Sequence, residues 1–151
     1  MRMNTRFSVA VHAMTLIVLN NIKYGNDRAT TSEIMASSIN TNPVVIRRII
    51  PMLKKAGLVD VKAGVGGAEL RRAPKDITLL DIYNAVKKSE DEALFDVHRN
   101  PNPKCYVGAY ILDAIAPPLQ DAQKALEGRL AAHTLQEVID PIAEKNHIRL
   151  N

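Results

Sequence analysis

The chain contains a single cysteine, Cys105, and no tryptophan. One cysteine cannot form a disulfide within the chain, and this usage is typical of proteins from a reducing compartment. Aromatic residues make up 4% of the sequence and hydrophobic residues 46%, which predicts an aliphatic core. A length of 151 residues suits one domain, or one domain with an oligomerisation appendage.

The sequence has no apolar run long enough to cross a membrane. The main candidate, residues 7–19, is interrupted by His12 and falls short of the roughly 20 residues that a bilayer requires. No small-residue cleavage site follows it, so a secretory signal peptide is not expected. These absences predict a cytoplasmic protein with no membrane partner.

Signatures of the common enzyme classes are also missing. Serine, histidine and acidic residues are present, but none falls in a recognisable nucleophile setting. The glycine cluster at residues 64–67 precedes a strand-like segment and lacks the Lys-Ser/Thr of a phosphate-binding loop. We therefore expect no catalytic activity.

Positive charge is concentrated in one part of the sequence. Residues 42–75 contain eight Lys or Arg against two acidic residues, a local net charge of +6. Residues 76–97 contain six acidic residues against two lysines, a local net charge of −4. A focused basic segment is typical of a surface that neutralises phosphates, although it also fits a solvated helix face.

The basic segment begins with the apolar spacing of an amphipathic helix, for which Pro43 suits the first turn and Gly57 the end. Pro51 lies inside this helix and predicts a kink rather than a break, because the apolar spacing continues through it. Residues 58–61 and 68–71, joined by a glycine-rich turn, predict a two-stranded hairpin. A basic helix followed at once by such a hairpin is typical of a winged helix-turn-helix, in which the helix enters the major groove of DNA.

Two further helices are predicted before the basic one. The first, residues 5–24, is apolar nearly all round and should be buried on most sides. The second, residues 31–38, follows a capping box with Thr30 as the N-cap and Glu33 three positions later. A short helix, a tight turn and a basic helix together form a helix-turn-helix.

The sequence of the C-terminal half predicts a long helix whose apolar stripe has no evident partner in the same chain. A capping box at Thr78 and Asp81 opens a helix that ends near residue 88, and a last short helix opens at Thr134. Between them, a long helix starts at Cys105 and carries an apolar stripe with coiled-coil spacing. Its members are Ile111, Ile115, Leu119, Ala122, Leu126 and Leu130. We assign this stripe to a homodimer interface, the alternative being a helix packed against its own domain.

The predicted fold is therefore mainly α with a small β-hairpin wing. A winged helix-turn-helix DNA-binding domain occupies residues 1–88. A loop at residues 89–104 follows, and residues 105–151 form a dimerisation helix and a short C-terminal helix.

Several segments in order resemble the Rrf2 family of bacterial regulators: MRMNTRFSVAVHAM, NPVVIRRIIPMLKKAGLV, the wing GVGGAEL, ITLLDIYNAV and CYVGAYI. The resemblance covers nearly the whole chain. It implies a dimeric winged-helix transcriptional repressor that binds double-stranded DNA at a palindromic operator, with the long C-terminal helix crossing the partner. The alternative is a winged-helix module that binds protein and does not read DNA sequence.

The resemblance also implies which residues contact DNA. On the recognition helix these are Asn42, Val44, Val45, Arg47 and Arg48. At the start of the preceding helix they are Thr31 and Ser32, and in the wing they are Lys62, Gly64 and Val65. The position of the family's usual wing arginine matches Ala63 here. Lys62 or Arg71 would substitute for it, but only through contacts with the DNA backbone.

Cluster-binding members of the family carry three cysteines before the long helix, because iron–sulfur clusters prefer thiolate ligands. This chain has only Cys105, so no metal or cofactor is expected, although His12 and His98 are conceivable partner ligands. Lys104 and a helix N-terminus would both stabilise the Cys105 thiolate, the form that oxidants attack. We hypothesise a redox or electrophile switch there. A buried, inert cysteine and a small-molecule effector bound between the first and long helices remain open.

Overall fold

The computed structural model describes residues 3–62, 67–88 and 94–150. These residues form six α-helices and a two-stranded antiparallel hairpin, which confirms the predicted fold class. The helices are α1 (Met3–Tyr24), α2 (Ser32–Ile39), α3 (Pro43–Lys55), α4 (Leu79–Ala85), α5 (Ile111–Ala131) and α6 (Leu135–Lys145), and the strands are β1 (Val59–Lys62) and β2 (Gly67–Leu70).

Helix α1 lies at the centre of the molecule because it is apolar on most sides. Ala10, Ala13, Met14 and Ile17 are fully buried, and the helix contacts α2, α3, α4, α6 and β2. The expectation of a first helix buried on most sides is confirmed. No helix in the described part of the chain is long and apolar enough to cross a membrane.

Helices α2 and α3 form the helix-turn-helix. The N-cap of α2 is Thr31, whose hydroxyl accepts a hydrogen bond from the Ile34 N–H at 3.3 Å. The prediction that Thr30 caps this helix was wrong by one position, and the side chain of Thr30 is instead buried. Pro43 occupies the first turn of α3 as predicted, and α3 continues unbroken through Pro51.

One face of α3 is built into the core, where Ile46, Ile49, Ile50 and Leu53 are buried. Burying a side chain of this size stabilises the fold by about 1.5 to 3 kcal/mol. The helix ends in a Schellman motif, in which the Leu58 N–H donates to the Leu53 carbonyl at 3.0 Å. The orientation of α3 is therefore fixed along its whole length.

The wing follows α3 directly. Strands β1 and β2 pair with Val59 opposite Leu70 and Lys62 opposite Gly67. A Cβ on Gly67 would lie 3.3 Å from the Cβ of Ala29, so β2 packs closely on the segment that precedes α2. The predicted contact residues Gly64 and Val65 lie outside the described residues.

The start of the long helix differs from the prediction. Helix α5 begins at Ile111 and not at Cys105, because residues 103–110 fold as consecutive turns. A Cβ on Gly108 would overlap the Asn102 carbonyl oxygen, so this turn requires glycine. The Thr78 capping box of α4, by contrast, is confirmed in both of its hydrogen bonds.

No residue of α5, a helix that the structure describes completely, is buried. The helix packs against α4, yet Ile115 remains 38% exposed and the other members of the apolar stripe are only half covered. Helix α6 instead packs into the core through Leu135, Ile139 and Ala143. The protomer thus leaves the stripe of its long helix incompletely covered.

Replacing Gly57 tests the end of α3. Its φ is +76°, and nothing lies within 4 Å of a Cβ at this position, so the cost of substitution comes from the backbone alone. Gly57→Ala should lower the free energy of unfolding by about 1 to 2 kcal/mol, and Gly57→Asn by less, because asparagine tolerates this conformation. Urea denaturation measures both. An alanine variant as stable as the wild type would contradict the motif.

Candidate nucleic-acid interface

The face of α3 opposite the core is exposed and rich in positive charge. Its exposed residues recur every three or four positions, which places them along one side of the helix. They are Val44, Arg47, Arg48, Pro51, Lys54 and Lys55. An exposed basic helix of this kind can enter the major groove of a duplex.

Asn42 combines a structural role with an exposed position. Its Oδ1 accepts a hydrogen bond from the Val44 N–H at 2.9 Å and so caps α3. The cap occupies the oxygen and leaves the amide NH₂ as a donor. Asn42 can therefore hold the helix and contact a phosphate or a base acceptor at the same time.

The two valines that follow are placed differently. Val44 is 46% exposed, which suits apolar contact with a thymine methyl group. Val45 is half-buried and packs against the core. The structure therefore places Val44 at the surface and leaves Val45 only partly accessible.

The two arginines on this face differ in their partners. Arg47 Nη2 donates to Glu33 Oε1 in an ion pair between α3 and α2. Arg48 is exposed and has no ion-pair partner in the described part of the chain. Glu33 was not identified as a site residue from the sequence. The periodicity of α3 shows which of its side chains are exposed, but not which side chains of α2 they contact.

The start of α2 lies beside this face. The Thr31 hydroxyl is used in the N-cap, and Ser32 is half-buried in the first turn. The first N–H groups of a helix lack partners within it and attract anions. Thr31 and Ser32 are thus placed at a helix end that suits a phosphate.

Two of the cations in and just after the described part of the wing are paired with carboxylates. Lys62 Nζ lies 3.6 Å from Glu69 Oε2 across the hairpin. Arg72 is likewise paired with Asp81 at 3.2 Å. Arg71 is exposed, and no ion-pair partner for it is found among the described residues. Lys62 and Arg71 are the cations that this side of the wing offers to a phosphate backbone.

Cys105 is exposed, so the alternative of a buried cysteine was wrong for the protomer, and its reactivity stays a prediction. Its predicted place at a helix N-terminus was also wrong, since α5 begins at Ile111. The N–H groups of Gly108 and, second, Val107 donate to the Cys105 sulfur and hold the pKa of the thiol below its ordinary value. The turn, not a helix dipole, stabilises the thiolate.

A model of the Rrf2 family, described as iron-dependent transcriptional regulators, matches residues 3–141. YwnA of Bacillus subtilis (strain 168), named as an HTH-type transcriptional regulator, is 47% identical over 137 residues, which covers 91% of this chain and 96% of YwnA. A crystal structure of a protein described as DNA-binding matches with a TM-score of 0.70 and 41% identity, over 89% of this chain and 98% of that one. IscR of T. potens matches in fold, with a TM-score of 0.62 and 21% identity over 97% and 91% of the two chains.

The donor groups of this chain do not fit an iron–sulfur cluster, the cofactor that the family resemblance implies for its cluster-binding members. Such a cluster needs several thiolates, and Cys105 is the sole cysteine of the sequence. In the described residues, no three His, Cys, Asp or Glu side chains converge on a possible metal site. His12 Nε2 instead lies 3.0 Å from Ser38 Oγ, and His98 is exposed.

The fold, the exposed basic helix and the comparisons agree. The family match spans most of the chain, and the structure reproduces the winged-helix arrangement that the matched structures share. The members are regulators of transcription that bind DNA, not enzymes. The chain belongs to the Rrf2 family of transcriptional regulators.

Proposed function

We propose that this protein is a sequence-specific, cytoplasmic repressor that binds a palindromic operator as a homodimer. The observation that carries the proposal is the exposed basic face of α3, whose opposite face is fixed in the core. Residues 1–88 form the DNA-binding domain, and residues 105–151, reached through the loop at 89–104, supply the dimer contact. The repressor role is what the family likeness implies.

The contacts divide into base reading and phosphate binding. Arg48 and Val44 are exposed in the N-terminal turns of α3, which meet base edges in helix-turn-helix proteins. Arginine binds guanine through O6 and N7, and an apolar side chain meets the thymine methyl group. Thr31, Ser32 and Lys62 flank the helix and would hold phosphates, which set the register without reading sequence.

The homodimer is supported by the apolar stripe of α5, which the protomer covers only in part. A helix of 21 residues without a buried side chain gains little stabilisation from packing against its own domain. Pairing two such helices would cover both stripes and place two α3 helices in a symmetric pair. A two-fold dimer matches half-sites about one helical turn, or a multiple, apart.

Arg48 and Lys55 should have separable effects on DNA binding. The operator is first recovered by sequencing the genomic DNA that binds the purified protein, and affinity is then measured by fluorescence anisotropy. Arg48→Ala should lose about 1 to 3 kcal/mol of discrimination at one base pair, as expected for a lost arginine–guanine contact. Lys55→Ala should weaken all duplexes alike and reduce the salt slope by about 1.

Binding without sequence preference that disappears at physiological salt would contradict this proposal. That outcome would favour the alternative, a winged-helix module that binds protein. Equal effects of the two substitutions on every sequence would likewise remove Arg48 as a base-reading residue.

Ile115→Glu tests the dimer. A carboxylate at Ile115 remains exposed in the protomer, but it would be buried without a partner in the dimer, which is strongly unfavourable. Sedimentation equilibrium should show a wild-type dimer and a monomeric variant. Val61→Glu, at a wing residue of similar exposure (39% against 38%), should remain dimeric. A monomeric wild type, or a dimeric Ile115→Glu variant, would contradict the assignment.

A second proposal concerns Cys105, which is exposed and has a lowered pKa. Its thiolate would attack a peroxide oxygen, break the O–O bond and release hydroxide, which leaves a sulfenic acid. A second thiol would then convert the sulfenic acid to a disulfide with loss of water. Because the chain has one cysteine, that thiol belongs to another chain or to a small molecule. Modification beside the start of α5 would then alter the dimer and release the operator.

Iodoacetamide labelling tests the thiolate, because the lowered pKa of Cys105 predicts half-maximal reactivity at a lower pH than for a free-cysteine peptide. Peroxide should weaken operator binding by the wild type and leave Cys105→Ser unchanged. Slow labelling at neutral pH, together with operator affinity that peroxide does not change, would end this proposal.

A further inference from the structure

The ion pair of Arg47 and Glu33 joins the two helices of the helix-turn-helix at their exposed side. The side chains of Arg47 and Glu33 are 55% and 64% exposed, so neither charge is buried and neither needs the other to offset a loss of hydration. Exposed ion pairs contribute little to stability. We therefore look for a role of Glu33 in DNA binding, because it lies beside the face assigned to DNA and adds little to stability.

The pair leaves Arg47 able to read a base. Only Nη2 of Arg47 donates to Glu33, whereas a guanidinium has five N–H donors in a fixed plane. Guanine presents O6 and N7 together and binds two of these donors at once. Arg47 can therefore contact guanine while it remains oriented by Glu33, and an oriented side chain loses less entropy on binding.

The same pair hinders contact with phosphate. A phosphate that draws Arg47 away leaves the Glu33 carboxylate unpaired beside a negatively charged backbone. Phosphates are present on every sequence, so this cost applies to non-specific binding in particular. Arg48, which has no ion-pair partner in the described ranges, carries no such cost.

We propose that Glu33 is a specificity-determining residue that acts through Arg47, aiming it at a base edge and withholding it from the phosphates of unrelated DNA. The inference rests on the proposed DNA-binding function and adds to it a means of rejecting wrong sequences. One acidic residue in a basic interface reduces binding to every duplex that does not offer the matching base.

Glu33→Gln tests the inference through two dissociation constants, one for the recovered operator and one for a scrambled duplex, each measured over a range of salt concentrations. The scrambled duplex should bind about threefold to fivefold more tightly, the upper range for loss of an exposed ion pair. Its salt slope should steepen by about 0.9, the value for one added phosphate contact. Operator affinity should change less than about twofold, so discrimination falls.

Two controls separate this effect from a general change in charge. Glu144→Gln makes the same substitution at an exposed residue of α6 and should leave the slope unchanged. In an Arg47→Ala background, Glu33→Gln should have no further effect, because its target is absent. Urea denaturation of each variant shows that the fold is retained.

An unchanged affinity and salt slope for the scrambled duplex would overturn the inference, as would an equal gain in the Arg47→Ala background. These outcomes are distinct from failure of the proposed function. A wild-type protein without sequence preference would end that proposal, while the salt slope of Glu33→Gln on scrambled DNA would still decide whether Glu33 withholds Arg47 from phosphate.

Discussion

The division of α3 into two faces is the constraint on which the rest of the structure depends. Ile46, Ile49 and Leu53 are buried against the core, and they can be buried only if Arg47 and Arg48 point outward. Hydrophobic burial, the dominant favourable term in folding, thus also exposes the charges that we propose to bind DNA. The Schellman motif at the end of α3 leads directly into β1, which contacts α3, so the hairpin is held close to this helix.

The long helix shows the opposite situation, an apolar surface that its own protomer leaves unfinished. Helix α1 has Met14 and Ile17 fully buried, whereas α5 is of similar length and has no buried residue within the described structure. A second copy of the chain would complete the packing and pair the two basic helices. Cys105 lies in the turns that lead into α5, where a covalent change would act on that packing.

Local sequence predicted those features that depend on neighbouring residues. The Thr78 capping box, the start of α3 at Pro43 and its course through Pro51 follow from side chains a few positions apart. Errors arose where distant parts of the chain meet. Thr30 is buried by the rest of the fold while Thr31 forms the cap, and the partner of Arg47, Glu33, lies on another helix. The late start of α5 has a different origin, the short-range hydrogen bonds of the turns that precede it. None of these contacts leaves a periodic trace in the sequence.

The central claim is that two α3 helices, held in a symmetric pair, enter the major groove of one duplex. Hydroxyl-radical footprinting of the protein on its recovered operator tests this most directly, because it maps backbone contacts at single-nucleotide resolution. Two matching sets of protected positions related by two-fold symmetry are expected, with centres about one helical turn, or a multiple of it, apart. A single asymmetric footprint, or uniform weak protection along the duplex, would contradict it.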